Sequence, residues 1–387
     1  MVKQVGKWTE MRAADFIEFN PRMSIKKGTI ATKVAMDKLQ PFTKKIPDTE
    51  KAPFSGGSKF RNGDTIMARI TPCLENGKTA FVDILGEDEI AFGSTEFIVM
   101  RAKEGVSDPQ FIYYLATSPS FRNIAIKSMV GSSGRQRVQQ TVLDELVLSV
   151  PPLEEQKKIS SLLCVLDQKI ALNNEINDNL QQQAKSLYEE MFLNNPDADM
   201  VSGTLSDIAT ITMGQSPSGS SYNEESVGEV FYQGRAEFGF RFPTRRLFTT
   251  EPKRMAEPGD VLLSVRAPVG DLNVAYEKCC IGRGLGAIHS KTGDSSFMLY
   301  TMFALKPQLD VFNGEGTVFG SINRDGLSNL PVNIPSAEEI AKFEATVRPM
   351  DNLIRTNYEE ICRLQSIRDS LLPKLMSGEI DVSDIQL

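Results

Sequence analysis

The sequence predicts an α+β fold in which two tandem globules of mixed α/β content are each followed by a long helix. The segment at 150–170, VPPLEEQKKISSLLCVLDQKI, is closely matched at 334–354 by IPSAEEIAKFEATVRPMDNLI. This correspondence continues without a gap as far as residues 192 and 376. The passages that precede the two segments also match, but only faintly. A duplicated unit made of one globule and one helix accounts for both repeats.

The composition is that of an ordinary globular protein of two or three domains, with 387 residues, 41% of them hydrophobic and 24% charged. Five cysteines, odd in number and without CxxC spacing, favour a reducing compartment. The sequence shows neither a membrane-length apolar run nor the apolar core of a signal peptide, so we expect a cytoplasmic protein without membrane contact.

The net charge of −7 is unevenly distributed along the chain. Residues 1–150 carry +4, whereas 151–199 carry −5, 200–333 carry −2 and 334–387 carry −4. The acidity is therefore concentrated in the repeated segments, and the overall charge does not exclude contact between the globules and a polyanion.

The globules share a Gly-Asp turn that leads into a buried strand, RNGDTIMARITP at 61–72 and EPGDVLLSVRAP at 257–268. Short helices follow at 108–119 and 295–307, each closed by a proline. The expected segments are a first globule at 1–149, a helix at 150–195, a second globule at 196–333, a helix at 334–380 and a tail at 381–387.

The two long segments carry apolar residues at heptad spacing, which predicts paired helices. The first line of heptad positions is Ile159, Leu166, Asn173, Leu180 and Leu187, matched by Phe343, Met350, Asn357, Leu364 and Leu371. The second line is Leu163, Ile170, Ala184 and Met191, matched by Val347, Ile354, Ile361 and Leu375. Asn173 and Asn357 are either solvated or form a polar layer that fixes the helix register. Pro349 predicts a kink or a broken first turn in the second helix.

No enzymatic motif is complete. PCLENGKT at 72–79 ends like a phosphate-binding loop, but Pro72 stands where the first glycine is needed. GRGLG at 282–286 lacks the spacing of a dinucleotide fingerprint, and His289 has no metal-ligand partners at suitable spacing. We therefore expect no catalytic residue and no metal site, and a chain that is not an enzyme on its own.

Polar loops at equivalent places in the two globules are the best candidates for contact with DNA. Arginine and glutamine form paired hydrogen bonds with guanine and adenine edges, and serine suits phosphates. Ordinary solvated loops remain the alternative for any single residue, and Arg241 is a further arginine of the second globule. The candidate DNA-binding residues are Arg69, Lys78, Ser132, Ser133, Arg135, Gln136, Arg137, Gln139, Gln215, Ser216, Arg235, Arg245, Arg246, Arg266, Ser321, Asn323 and Arg324.

With PPLEEQKKI, MGQSPSGSSYN, GSSGRQRV and LLPKLMSGEI, the chain resembles the specificity subunit of type I restriction–modification systems over nearly its whole length. The resemblance implies two target-recognition domains that each read one half of a split site in double-stranded DNA. It also implies an antiparallel coiled coil, docked methyltransferase (modification) subunits, and a restriction/motor subunit. It implies no cofactor on this chain, with S-adenosylmethionine, ATP and Mg expected on the partner subunits. IPSAEEI and Pro349 depart from the family pattern.

Two other functions fit the residues. One is a stand-alone, repressor-like protein that binds a two-part DNA site, and the other is a coiled-coil assembly scaffold without DNA binding. The bases that are read and the length of the spacer between them are not readable from loop sequence.

Overall fold

The computed structural model describes residues 8–132, 134–195, 199–314 and 320–382. The chain divides into two compact units, one of residues 1–172 with 360–387 and the other of residues 173–359. Each unit therefore contains one globule and one half of each long helix. A long helix has no core of its own, and each half packs against a different globule.

The end of the second long helix belongs to the first unit. The other described elements of this unit are ten strands, four short helices and the start of the first long helix. They are β1 Thr9–Arg12, α1 Ala13–Phe16, β2 Ile17–Phe19, β3 Ile30–Val34, β4 Glu50–Pro53, β5 Ser58–Phe60, β6 Thr65–Ala68, β7 Thr79–Phe81, β8 Ala91–Gly93, β9 Phe97–Ala102, α2 Pro109–Thr117, α3 Pro119–Lys127, α4 Gln140–Asp144, β10 Val147–Val150 and α5 Leu153–Tyr188.

Three sheets form the first globule. Strands β1 and β10 pair antiparallel, and a four-stranded antiparallel sheet has the order β2-β9-β6-β7. The third sheet has the order β4-β3-β8-β5, with β3 and β8 parallel. Helix α2 begins where the Asp108 carboxylate accepts a hydrogen bond from the Phe111 amide at 2.8 Å, with Pro109 in the first turn.

The second unit contains strands β11 to β21, helices α6 to α9, and parts of α5 and of the second long helix. They are β11 Met200–Thr204, α6 Leu205–Ile208, β12 Ala209–Met213, β13 Tyr222–Asn223, β14 Glu229–Tyr232, β15 Phe248–Thr249, β16 Met255–Ala256, β17 Val261–Ser264, β18 Leu272–Val274, β19 Cys279–Ile281, β20 Leu285–Ser290, α7 Ser295–Ala304, α8 Lys306–Asp310, α9 Arg324–Ser328, β21 Pro331–Pro335 and α10 Ala337–Met376.

The second globule repeats the sheet plan of the first. Its antiparallel pair is β11-β21, and its four-stranded antiparallel sheet is β12-β20-β17-β18. A third sheet, β13-β15-β14-β19-β16, has the same central parallel pair and one additional strand. The predicted fold class, two tandem α+β globules each followed by a long helix, is confirmed.

The predicted Gly-Asp turns have the same structural role in both globules. The buried Asp64 carboxylate accepts from the Arg61 amide and pairs with Arg101 at 2.7 Å. Asp260 accepts from the Glu257 amide and pairs with His289 at 2.6 Å. The lone histidine therefore holds a turn against β20.

Helices α5 and α10 run antiparallel within each unit. In the first unit, Asp167 and Lys169 on α5 pair with Arg368 and Glu360 on α10, at 2.9 and 3.3 Å. As the residue number increases along α5, the residue number of the partner on α10 decreases, which is the order of an antiparallel pair. The second unit shows the same order, from the Asn177–Asn357 hydrogen bond at 2.8 Å to the ring contact of Tyr188 with Phe343.

The buried face of the long helices departs from strict heptad spacing. The predicted seam residues Leu187 and Leu371 are half-buried, whereas their neighbours Tyr188 and Leu372 are buried. An α-helix has 3.6 residues per turn, so its buried face drifts relative to a 3.5-residue repeat. Helix α10 continues without a break through Pro349, so the predicted broken turn was wrong, whereas the predicted kink stays a prediction.

Candidate nucleic-acid interface

The polar loop of the first globule, which contains Arg135, Gln136 and Arg137, is hydrogen-bonded to the residues that follow β6. The amide of Thr71 donates to the Gln136 carbonyl at 3.0 Å, and the amide of Val138 donates to the Arg69 carbonyl at 2.9 Å. Two further bonds between Val130 and Arg137 close the loop on itself. The loop position is therefore set by backbone contacts, which leaves its side chains available for recognition.

The equivalent loop of the second globule, which contains Ser321 and Asn323, is hydrogen-bonded in the same register to the residues that follow β17. The Ala267 amide donates to the Gly320 carbonyl at 3.0 Å, and the Ile322 amide donates to the Val265 carbonyl at 3.1 Å. Arg266 and Ser321 bridge there, as Ile70 and Arg137 do in the first globule. The structure thus makes Ser321 the counterpart of Arg137.

Arg137 of the loop and Arg69, which follows β6, lie beside the carboxylate of Glu96, a residue that the sequence did not single out. Arg137 donates through Nε and Nη2 to both oxygens of Glu96, at 2.6 to 3.0 Å. These contacts raise the pKa of Arg137, so its guanidinium stays charged. Arg69 lies farther from the same carboxylate, at 3.9 Å.

In the second globule, the equivalent loop borders an open cleft of about 690 Å³. Arg266, Arg283, Ser321 and Asn323 line it, together with apolar side chains and without a carboxylate among the described residues. Across the described parts of the chain, the side chains of Arg266 and Arg283 have no ion-pair partner. The fold therefore brings together predicted residues that are distant in sequence: Arg266, Ser321 and Asn323.

Arg283 was missed because it belongs to GRGLG, which the sequence offered only as a weak dinucleotide motif. Its glycines serve close packing instead: a Cβ on Gly284 would lie 2.7 Å from the Gln233 carbonyl oxygen. The predicted residues Gln215 and Ser216 flank Arg283, and the Ser216 hydroxyl accepts from the Arg283 amide at 3.2 Å. Gln215 is exposed.

The remaining candidates of the first globule differ in accessibility. Ser132, Arg135 and Gln139 are exposed, and Gln136 is half-buried. Ser133 lies outside the described residues. The Lys78 ammonium donates to the Met36 carbonyl at 3.0 Å and is engaged inside the globule.

Most other arginines of the second globule are paired with carboxylates. Arg235 pairs with Asp271 at 2.7 Å, Arg245 with Glu277, and Arg246 with both Glu224 and Glu237. Arg324 is exposed in the first turn of α9.

Arg241, the further arginine of the second globule, has a side chain that is only 4% exposed and cannot reach DNA. It donates to Asp351 on α10 at 2.7 Å and to the Tyr300 hydroxyl at 3.2 Å. It therefore joins its globule to the helices.

A tyrosine–aspartate contact of this kind joins each globule to the long helices. Tyr114 donates to Asp167 on α5 at 2.6 Å, and Tyr300 donates to Asp351 on α10 at 3.1 Å. Burial and the nearby Asp167 carboxylate raise the pKa of Tyr114, so its hydroxyl keeps the donated proton. We call these two pairs the docking contacts.

The arginine that pairs with the aspartate of the docking contact lies on a long helix in the first unit and in the globule in the second unit. Arg368 on α10 pairs with Asp167 in the first unit, whereas Arg241 of the globule pairs with Asp351 in the second. Both globules nevertheless place a cation on the tyrosine hydroxyl, since Lys44 donates to Tyr114 at 3.1 Å.

The buried polar contacts between the long helices include a residue that the sequence analysis did not single out. Asn173 and Asn357 are both buried, but the Asn357 amide donates to Asn177, one turn beyond Asn173. Asn177 and Arg368 occupy the two gaps in the second apolar line of the heptads. Those gaps were the sequence signal for polar contacts between the helices.

Other chemistry has little support in the described parts of the chain. No group of three or more histidine, cysteine, aspartate or glutamate side chains there could hold a metal ion. No helix there has the length and apolar character needed to cross a membrane.

Comparisons with known proteins fit this geometry. The family model described as the type I restriction modification DNA specificity domain matches residues 6–182 and 198–363, one match for each globule with its helix. Neither alternative function, a repressor or a scaffold, gains support.

Two relatives from Methanocaldococcus jannaschii are similar over most of the chain. The putative type I restriction enzyme MjaX specificity subunit is 30% identical over 338 residues, covering 83% of this chain and 79% of that protein. The type I restriction enzyme MjaVIII specificity subunit is 20% identical over 420 residues, covering 98% and 94%.

A solved structure supports the fold. The crystal structure of the type I restriction–modification system S subunit from M. genitalium has a TM-score of 0.60 at 16% identity, covering 96% of both chains.

Proposed function

Because the chain belongs to the type I restriction–modification DNA specificity family and is a specificity subunit rather than an enzyme, we propose that it reads a two-part site in double-stranded DNA. Each globule reads one part. The observation that carries this proposal is the equivalent loop, held in the same register in both globules but with different side chains. A shared scaffold with unlike contact residues suits two unlike half-sites.

The second globule offers the clearest surface for a DNA strand. Arg266 and Arg283 place two positive charges in an open cleft without a carboxylate among its described lining residues. Such a cleft suits backbone phosphates, which dominate the affinity of DNA-binding proteins. Ser321 and Asn323 lie beside these arginines and can reach phosphates or base edges.

The repeated helices provide the common part of the molecule. Their first turns carry the exposed, matching carboxylates Glu154 and Glu338, which pair with Lys157 and Lys342 on the same helices. Repeated surfaces suit two copies of one partner, and we assign them to methyltransferase (modification) subunits. In this proposal, the length of the antiparallel helices sets the spacing between the half-sites.

The chemistry belongs to the partners in this proposal. S-adenosylmethionine would bind the modification subunits, and ATP with Mg would bind the restriction/motor subunit. The chain itself supplies DNA recognition and the places where these subunits dock, and the complex acts in the cytoplasm, where the DNA is.

The test is to express the chain with the modification subunits of its host and to sequence the methylated positions in the DNA. We expect a recurrent site of two specified parts separated by unspecified bases. A chain that binds a two-part site but recruits no methyltransferase would support the repressor-like function. A chain without DNA affinity in any complex would contradict the proposal.

A further inference from the structure

The two globules hold the same loop but differ in the charge beside it. The Glu96 carbonyl accepts from the Arg69 amide at 2.9 Å, and in the second globule the Gly284 carbonyl accepts from the Val265 amide at 3.0 Å. Glu96 and Gly284 therefore occupy the same place. Glu96 places a carboxylate beside the loop of the first globule, whereas the described residues that line the cleft of the second globule include no carboxylate.

Glu96 holds Arg137 in one orientation. Glu96 Oε1 accepts from Nε and Nη2 of Arg137 at 2.9 and 2.6 Å, and Glu96 Oε2 accepts from Nε at 3.0 Å. Both residues are also anchored by their backbones, Arg137 to Val130 and Glu96 to Arg69. The guanidinium plane is therefore fixed before any ligand arrives.

The end of the Arg137 guanidinium, formed by Nη1 and Nη2, is left for a ligand. An arginine has five N–H groups in a planar fork, so Nη1 and the outer N–H of Nη2 remain available. The Arg137 side chain is 45% exposed. Two parallel donors on a fixed plane match the O6 and N7 acceptors of guanine in the major groove.

The negative charge of Glu96 favours a guanine over a phosphate as the group that Arg137 contacts. Glu96 cancels one of the two positive charges on Arg69 and Arg137, and its shortest contacts are to Arg137. A phosphate would be repelled by this carboxylate, whereas the neutral guanine edge requires only two well-placed donors. In the second globule, Arg266 and Arg283 keep both charges, as phosphate contact requires.

We infer that Glu96 is a positioning residue that orients Arg137 to read a guanine in the half-site bound by the first globule. This inference rests on the proposed function and specifies the base class at one position. Glu96 acts through Arg137 and does not itself contact the DNA.

The test compares Glu96→Ala with the matched control Glu50→Ala, in complexes with the modification subunits. Glu50 pairs with Lys33 on the surface of the same globule, so its loss changes the net charge equally. Methylated sites are sequenced, and DNA binding is measured over a range of salt concentrations. Glu96→Gln and Arg137→Lys complete the set.

Glu96→Ala should lower the preference for guanine at one position of the first half-site by roughly five- to hundred-fold, the worth of one bidentate contact. Its salt slope should steepen by about one, because the released Arg137 can neutralise a phosphate. Glu96→Gln keeps one acceptor for Arg137 and should retain more of the guanine preference. Arg137→Lys lacks the fork and should lose the preference despite its charge.

The inference is overturned if Glu96→Ala and Glu50→Ala give the same base preferences and the same salt slope. It is also overturned if the relaxed base lies in the half-site of the second globule. A wild-type complex whose methylated sites are not in two parts would instead contradict the proposed function, and the inference with it.

Discussion

At the scale of single residues, the role of each arginine depends on its neighbours rather than on its residue type. Residue type alone does not distinguish Arg137, Arg241 and Arg266. In the structure, one is held by Glu96, one is buried against Asp351, and one lines an open cleft. The sequence predicted Arg266, Ser321 and Asn323 as candidates from their residue types. It did not predict that they line one cleft, because Arg266 is far from the other two along the chain.

The cleft arginines give a prediction about salt dependence. Arg266→Ala and Arg283→Ala should each reduce the slope of log affinity against log salt by roughly one, because each loses a phosphate contact. The control is Arg254→Ala, which removes an exposed positive charge from the same globule outside the cleft. Titrations of the assembled complex with DNA at several salt concentrations measure the slopes, and equal slopes for all three variants would contradict this role.

The docking contacts give a prediction about stability. Tyr114→Phe removes the hydroxyl that donates to the half-buried Asp167 and should lower the free energy of unfolding by about 1–3 kcal/mol. Trp8, the single tryptophan, donates to Glu155 in the same unit, and its fluorescence reports the urea transition.

The control for this prediction is Glu50→Gln, which removes an exposed ion pair with Lys33 in the same unit as Tyr114 and Trp8. That substitution should change the transition little. A Tyr114→Phe protein as stable as the wild type would mean that the docking contact does not stabilise the first unit.

At the scale of elements, the helices were the most predictable part and the sheets the least. A repeat of heptad spacing predicts two long helices, and the stretches Pro-Leu-Glu-Glu and Pro-Ser-Ala-Glu-Glu predict where these helices begin. Short strands such as Phe248–Thr249 carry too few residues for any alternation pattern. Their pairing depends on contacts between distant segments, which composition does not reveal.

The seam shows where a sequence pattern is incomplete. Strict heptads predicted Leu187 on the buried face, but Tyr188 takes that place because it packs against Phe297 and Phe343 of the second unit. Contacts with the globule therefore override the coiled-coil repeat near the end of α5. Asn177 and Arg368 interrupt the second apolar line of the heptads, and both form polar contacts between the helices.

Helix length gives a prediction about the DNA spacer. Seven residues inserted after Asn173 and after Asn357 keep the heptads in phase and lie next to the boundary between the two units. The insertion adds about 10.5 Å of helix, which equals roughly three base pairs at about 3.4 Å each. We expect unchanged half-sites with a longer spacer, measured by sequencing of methylated sites.

A four-residue insertion at the same two places is the control, because it shifts the seam out of phase. A seven-residue variant that folds, methylates and keeps the original spacer would show that the helices do not set the distance.

At the scale of the whole molecule, one structural plan is used twice with unlike surfaces. The sheet order, the Gly-Asp turns and the docking contacts recur in both units. The loop side chains and the charge beside them do not recur. This division between shared scaffold and separate surface is what a subunit that reads two unlike half-sites requires.

The most direct measurement is the methylated sequence produced by a hybrid chain. Residues 200–333 are replaced by the equivalent passage of a relative with a different specificity, and Arg241 and Tyr300 are retained so that the graft docks on α10. We predict that the half-site of the second globule changes while the other half-site and the spacer stay as in the wild type. A hybrid complex that methylates DNA with both half-sites altered, or with neither altered, would contradict the account.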